Sequence, residues 1–357
     1  MIIDIVKVFT PAAAAFFVGI LITPVLSHYL YKFKAWKKKP GKVDLNGDET
    51  PLFNELHKEK EVGTPRMGGI VIWLSAFLTI TAIWLISILF PNPTTDKFDF
   101  LSRNQTWIPL FTLMAGAFVG LIDDIYEIFE SRSHKAGGLS LKKRLIIVSA
   151  IAAFVAAWFF FKLEITTIGV PFVGDVFIAW LFIPYFIAVS LALYASGVID
   201  GIDGLSGGVF AAIFAAYAGI AFYQQQIDLA AFSATIVGAI LAFLWFNIPP
   251  ARFYMSETGM MGLTITLTVV AFMTDSLGGG HGVFVLPIIA FPLVITVLSS
   301  AIQLASKKWR GGKKVFRVAP LHHHFEAIGW PSYKVVMRYW VISAMFAIIG
   351  LSIALIG

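Results

Sequence analysis

Cysteine is missing from all 357 residues, so the chain can have no disulfide framework and no thiolate metal site. Charge is scarce too: Asp, Glu, Lys and Arg make up 13% of the residues, against about 25% in a soluble domain. Hydrophobic residues reach 58% and the mean hydropathy is +0.82, beyond the roughly 45–50% apolar share of soluble proteins. These shortages exclude a soluble globular protein and point to an integral membrane one. The length would hold about two soluble domains, but the hydrophobic runs leave no room for them, and 1–357 reads as a single polytopic transmembrane domain. No period of about 20–50 residues repeats, which sets aside solenoids and propellers. A cleaved leader is not expected, because the first apolar run, after Met1–Lys7, is too long for a signal-peptide core and lacks a clear small-residue cleavage site. The net charge of +6 would suit nucleic acid in a soluble chain. Here it reads as the basic loops of a membrane protein, and no nucleic-acid partner is expected.

A helix needs about 20 apolar residues to cross roughly 30 Å of hydrocarbon. Ten segments qualify: 8–31, 67–90, 106–122, 145–161, 176–197, 205–222, 229–246, 259–273, 282–305 and 335–356. The predicted fold class is therefore an all-α integral membrane protein of about ten transmembrane helices, embedded in the lipid bilayer. The connections from odd to even spans (32–66, 123–144, 198–204, 247–258 and 306–334) hold 22 of the 27 lysines and arginines. That asymmetry makes them cytoplasmic and puts both termini outside. The stretch 32–62 is the only long polar one and reads as a cytoplasmic excursion, its Lys37-Lys38-Lys39 run a stop-transfer signal that meets lipid headgroups. Asn104-Gln105-Thr106 has the form of a glycosylation sequon, but it abuts a span and is read as chance.

Acidic residues are few, so their placement is informative. Asp123-Asp124 closes the third span in "GLIDDIYEIFE", Asp200 and Asp203 follow the fifth in "GVIDGIDGLSGG", and Glu257 precedes the eighth in "PPARFYMSETGMMG". The topology puts all of them on the cytoplasmic face, together with His322, His323 and His324 in the basic loop "APLHHHFEAIGW". Each has a plain structural reading. Asp-Asp can be a solvated helix end, Asp-Gly-x-Asp-Gly is a strong turn signal, and consecutive histidines lack the i, i+4 spacing of a helical zinc pair. Lys307, Lys308, Arg310, Lys313, Lys314 and Arg317 serve at least as topological determinants. Jointly, however, several carboxylates, a cluster of bases and an aromatic-bearing loop on one membrane face suit Mg²⁺ and a polyphosphate. Oxygen ligands favour Mg²⁺, which is shared with substrate phosphates, and cations neutralise a transferring phosphoryl group.

The motifs "GTPRMGG" (63–69), "GLIDD" (120–124), "DGIDGLSGG" (200–208), "WFN" (245–247) and "PLHHHFEAIGWP" (320–331) resemble the polyprenyl-phosphate N-acetylhexosamine-1-phosphate transferase superfamily. The histidine motif with its following Gly-Trp-Pro most resembles the phospho-N-acetylmuramoyl-pentapeptide transferase branch, bacterial translocase I. The resemblance runs in order along nearly the whole chain. It implies an Mg²⁺-dependent enzyme of peptidoglycan synthesis in the bacterial plasma membrane, with catalytic loops on the cytoplasmic face. Its implied substrates are a UDP-sugar donor, UDP-N-acetylmuramoyl-pentapeptide, and undecaprenyl phosphate; its products are lipid I and UMP. It implies catalytic roles for Asp123, Asp124, Glu257, His322, His323 and His324. Asp123, Asp124 and Glu257 are the implied metal ligands, and Asp200, Asp203, Asn247 and Tyr254 bind substrate, Tyr254 by stacking on uracil. A homodimer is admitted by this reading.

The chain departs from the family pattern at informative places. Tyr194 and Gly197 stand where the family has the asparagines of Asn-Ala-x-Asn, Glu257 replaces the usual aspartate, and Glu127 replaces a lysine shortly after the aspartate pair. These changes bear on nucleotide geometry, on the metal site and on the donor sugar. Two rivals follow: the same chemistry on another UDP-N-acetylhexosamine, and a catalytically silent relative or a transporter. Transporters concentrate ionisable residues near the midplane, whereas here nearly all lie at one interface.

Overall fold

The computed structural model describes residues 2–37, 62–101, 105–129, 138–277 and 279–357. Most of the 32–62 excursion, with Lys38 and Lys39, and the sequon residue Asn104 lie outside the described residues. The apolar runs form helices at the expected places: α1 (Ile2–Lys32), α2 (Ile70–Leu89), α3 (Trp107–Phe129), α4 (Leu141–Ala157), α5 (Phe182–Ala195), α6 (Leu205–Tyr223), α7 (Ile227–Asn247) and α8 (Ser256–Phe272). They continue with α9 (Gly282–Ile289), α10 (Phe291–Trp309), a short α11 (Leu321–Ala327) and α12 (Ser332–Ile356). Among the described residues nine helices are long and apolar enough to cross a membrane, or ten when α9 and α10 count as one broken span. The fold is an all-α integral membrane protein. Helices suit hydrocarbon because they satisfy their own backbone hydrogen bonds.

Two expectations need correction. The segment 282–305 reads as one straight span, but α9 and α10 meet at a 70° bend. Pro292 opens α10, and a proline is tolerated at a helix start but supplies no N–H to continue one. The histidines, expected in a loop, lie on helix α11, with Leu321 N–H capped by Ser299 Oγ at 2.9 Å. A small antiparallel hairpin, β1 (Thr167–Val170) and β2 (Gly174–Phe177), joins the fourth and fifth spans and had no clear sequence signal.

The core is organised around α8, almost every residue of which is buried. Its hydropathy is the lowest of the nine helices that could cross a membrane by themselves, which fits a helix wrapped by protein rather than lipid. Its threonine hydroxyls bond back to the preceding turn: Thr264 donates to Met260 O at 2.8 Å and Thr268 to Thr264 O at 3.2 Å. Between membrane helices the hydrophobic effect gives little, so close packing of small residues holds the pair α3–α8 together. A methyl group added at Gly120 would come within 2.1 Å of the Glu257 carbonyl oxygen. That close approach sets Asp123 and Asp124, one turn further along α3, against the start of α8. At the other extreme α1 and α12 present rows of exposed apolar side chains, such as Phe17, Leu21, Val341 and Ile348, as lipid-facing helices do.

Candidate active site

The site is assembled where five motifs meet at one end of the bundle. Asp123 and Asp124, both 0% exposed, sit in the last two turns of α3. Asp124 Oδ2 accepts from Thr258 N–H at 2.9 Å, an orphan donor at the start of α8. Its other oxygen is buried with no hydrogen-bond partner among the described residues. Asp123 Oδ1 accepts from Leu139 N–H at 2.7 Å, and Asp123 Oδ2 lies 3.0 Å from Arg144 Nη2. The same guanidinium donates from Nη1 to Glu257 Oε1 at 2.7 Å and from Nε to Leu139 O at 3.0 Å. The Tyr194 hydroxyl lies against it as well. Buried carboxylates need partners because desolvating a charge costs several kcal/mol, and Arg144 supplies one to two acids at once.

The nearby Glu127, replacing the family's lysine, is paired with Arg66 of "GTPRMGG" and with Lys37 Nζ at 3.2 Å. The negative charge that Glu127 places on α3 is therefore met by two cations from elsewhere in the chain. The glycines after Arg66 dock its loop: Gly68 N–H donates to Tyr254 O at 2.7 Å and Gly69 N–H to Met255 O at 3.1 Å. Tyr254, half-buried, returns a bond from its own N–H to Pro65 O at 2.9 Å.

The Asp-Gly-x-Asp-Gly turn is tied to the same centre. Asp200 accepts from Ser206 Oγ at 2.8 Å and from Ser256 N–H at 3.0 Å. Asp203 accepts from Ala251 N–H at 3.1 Å. Asn247 is buried and commits both ends of its amide to backbone, accepting from Gly204 N–H and donating to Phe253 O, each at 2.8 Å. It clamps the loop before α6 to the loop before α8. Across this turn lies α11, which divides the three histidines. His322 and His323 are buried and face Gly201, where a methyl group would fall 2.6 Å from His323 Nε2 and 2.8 Å from His322 Nε2. His324 turns toward the basic loop and accepts from Arg317 N–H at 3.2 Å. His323 Nδ1 is oriented by Glu326 at 2.7 Å, itself held by Ser332 Oγ at 2.6 Å.

Nine of the ten residues singled out from the sequence thus lie around this centre, while His324 turns away toward the basic loop. Sequence reasoning missed Arg66, Arg144 and Glu326. A signal for Arg144 existed: it lies one turn before Val148 on the stripe Val148, Ala152, Val155 that α4 buries, whereas Lys142 and Lys143 are exposed.

Among the described residues no three acids or histidines form a ready metal shell. Mg²⁺, however, is commonly held by one or two carboxylates with waters and substrate phosphates completing the octahedron. The unpartnered, buried Asp124 oxygen and the neighbouring Asp123 fit that pattern. Glu257, the third expected ligand, is held by Arg144.

Comparison with known proteins points the same way. Residues 106–275 match the model of glycosyl transferase family 4. The chain is 33% identical to the phospho-N-acetylmuramoyl-pentapeptide-transferase of Anoxybacillus flavithermus, over 96% of each chain. It is 32% identical to that of Chloroflexus aurantiacus over 99% of this chain and 91% of the relative, and 31% identical to that of Bacillus subtilis over 95% of each.

Proposed function

The chain belongs to the phospho-N-acetylmuramoyl-pentapeptide transferase family, and from that footing we propose that it moves phospho-N-acetylmuramoyl-pentapeptide from UDP to undecaprenyl phosphate. The products are lipid I and UMP, and the setting is peptidoglycan synthesis. In this reading an oxygen of the lipid phosphate attacks the sugar-side phosphorus of the donor, and the bond from that phosphorus to the oxygen of UMP breaks. The observation that carries the reading is the convergence of Asp123, Asp124, Glu257, Arg66 and Arg144 at helix ends, tied through the Asp200–Ser256 bond to the turn that packs on the histidine helix at Gly201. A phosphoryl transfer needs positioning and charge stabilisation more than covalent help, and this cluster offers both.

Asp124 and Asp123 are the residues that would hold Mg²⁺, which when bound neutralises charge developing on the transferred group. The guanidinium groups of Arg66 and Arg144 add fixed positive charge beside the phosphates. His322 and His323, locked against Gly201, are donors to phosphate oxygens, and Glu326 fixes the ring of His323. Tyr254 stacks on the base, while Asp200 and Asp203 shape the loop that receives the nucleoside. The active site faces the cytoplasm of a bacterial plasma membrane, the side of the basic loops. The location at helix ends, rather than at broken helices near the midplane, favours an enzyme over a transporter.

A second reading, another UDP-N-acetylhexosamine as donor, is favoured by Tyr194 lying against Arg144 where the family has an amide. One assay separates the two: UMP release from a panel of UDP-sugars with undecaprenyl phosphate, Mg²⁺ and detergent-purified protein. UDP-N-acetylmuramoyl-pentapeptide is expected to be the best donor. Release from a simpler UDP-N-acetylhexosamine alone would establish the second reading, and release from none would sink both.

A further inference from the structure

Arg144 stands where a cation would be needed. Two of its nitrogens make hydrogen bonds, Nη1 to Glu257 and Nε to Leu139 O, and Nη2 forms an ion pair with Asp123 Oδ2 at 3.0 Å. Its two acids come from different helices, α3 and α8, so the guanidinium closes the gap between them. The reach depends on the length of the Glu257 side chain. Glu257 replaces an aspartate, and the extra methylene extends the carboxylate by about 1.5 Å, one carbon–carbon bond. An aspartate there would leave Arg144 with Asp123 as its only firm carboxylate partner. While both acids are clasped, the groups that hold Arg144 are also the groups that would approach a divalent ion. Two positive centres drawing on the same two carboxylates, Asp123 buried and Glu257 partly so, repel each other strongly.

We propose that Arg144 is the exchangeable counter-ion of this cleft. It clasps Asp123 and Glu257 in the arrangement described, gives up at least one of them when a divalent cation enters, and then presents its released N–H groups to the donor's diphosphate. The idea rests on the transferase reading for the identity of the diphosphate, but not for the competition between guanidinium and metal. A planar guanidinium suits both partners, because carboxylate and phosphate accept the same forked pair of hydrogen bonds.

The competition is measurable without substrates. Full-length protein in detergent is titrated with Mn²⁺, read by electron paramagnetic resonance, and its thermal midpoint is compared in EDTA and in Mg²⁺. Arg144→Met keeps the stem and removes the charge. It should melt earlier in EDTA, gain more from Mg²⁺, and bind Mn²⁺ more tightly by about tenfold, a typical coupling between two competing sites. Glu257→Asp, which shortens the tether and keeps both charges, should shift Mn²⁺ affinity in the same direction and remains informative if Arg144→Met does not fold. Adding Asp124→Asn should abolish the extra affinity. Weaker Mn²⁺ binding in Arg144→Met and Glu257→Asp would instead make Arg144 a fixed strut that pre-organises the acids, and unchanged binding would place it outside the cation's path. Either result overturns the proposal. A chain that exchanges Arg144 for metal but releases no UMP would fail the transferase reading alone.

Discussion

At the residue scale, the chemistry was legible where the sequence concentrated rare residues and illegible where it used common ones. The acid pair, the Asp-Gly-x-Asp-Gly turn and the histidines stood out against an apolar background. Arg66 and Arg144 were two among many cations in basic loops, and only the buried stripe on α4 could have picked out the second. The division of labour among the histidines was not readable either, because it depends on α11 and on the absence of a side chain at Gly201. That contact makes a sharp test. Gly201→Ala would drive a methyl into His323 and His322, and a misplacement of about 1 Å can cost ~100-fold in rate. Turnover is expected to fall by about that factor, because the buried rings must shift to admit the methyl. Turnover at the parent's level would mean that the histidine positions are not set by this contact. The charge of Glu127 offers a second test. Glu127→Lys places a cation against Arg66 and Lys37 and should destabilise the fold and abolish transfer. Adding Arg66→Glu should recover a folded protein. Failure of the double variant to recover stability would show that this ion pair does not account for the departure at Glu127.

At the element scale, apolar runs and loop charges were sufficient to locate the spans, because length and hydropathy are properties of single segments. What they could not supply was mutual placement. The 70° break between α9 and α10 sits in an apolar stretch, and its cues were two prolines, Pro287 and Pro292. The centrality of α8 was likewise hidden: its threonines and glycines look like weakness in a lipid-facing helix and become assets only when neighbouring helices surround it. The α3–α8 crossing carries the acid pair, so its spacing should be felt in the chemistry. Gly120→Val inserts bulk where even a methyl is 2.1 Å from the Glu257 carbonyl. Overpacking of this kind costs typically ~1–3 kcal/mol, and it also pushes Asp123 and Asp124 away from Thr258 and Arg144. A lowered thermal midpoint together with lost UMP release is expected. A variant that melts earlier yet turns over normally would show that the helix spacing and the acid geometry are independent.

At the scale of the whole molecule, polar groups are sorted to the two ends of the bundle, and the ends differ in kind. One end carries the active-site acids, the paired arginines and the histidine helix. The other carries structural pairs: Lys7 with Asp228 at 2.7 Å, and buried Asp275, which accepts from Gly169 N–H at 2.9 Å and Val283 N–H at 3.1 Å. Irregular backbone near hydrocarbon must be satisfied by protein, and Asp275 does this for the hairpin and the turn before α9. Orientation therefore decides whether the reaction is feasible at all. A charged nucleotide-sugar does not cross hydrocarbon unaided, since moving even one ion to a bilayer centre costs several kcal/mol, so the donor must reach the site from the compartment that contains it. The excess of lysine and arginine on the active-site end is the ground for proposing that this end faces the cytoplasm. Because the protein has no native cysteine, single cysteines report cleanly. Asp175→Cys on the exposed strand β2 should react with an impermeant maleimide in intact cells. Lys314→Cys, exposed in the loop after α10, should react only after the membrane is permeabilised. The reverse pattern would put the acids outside the cell, away from a cytoplasmic donor, and the proposed transfer could not stand.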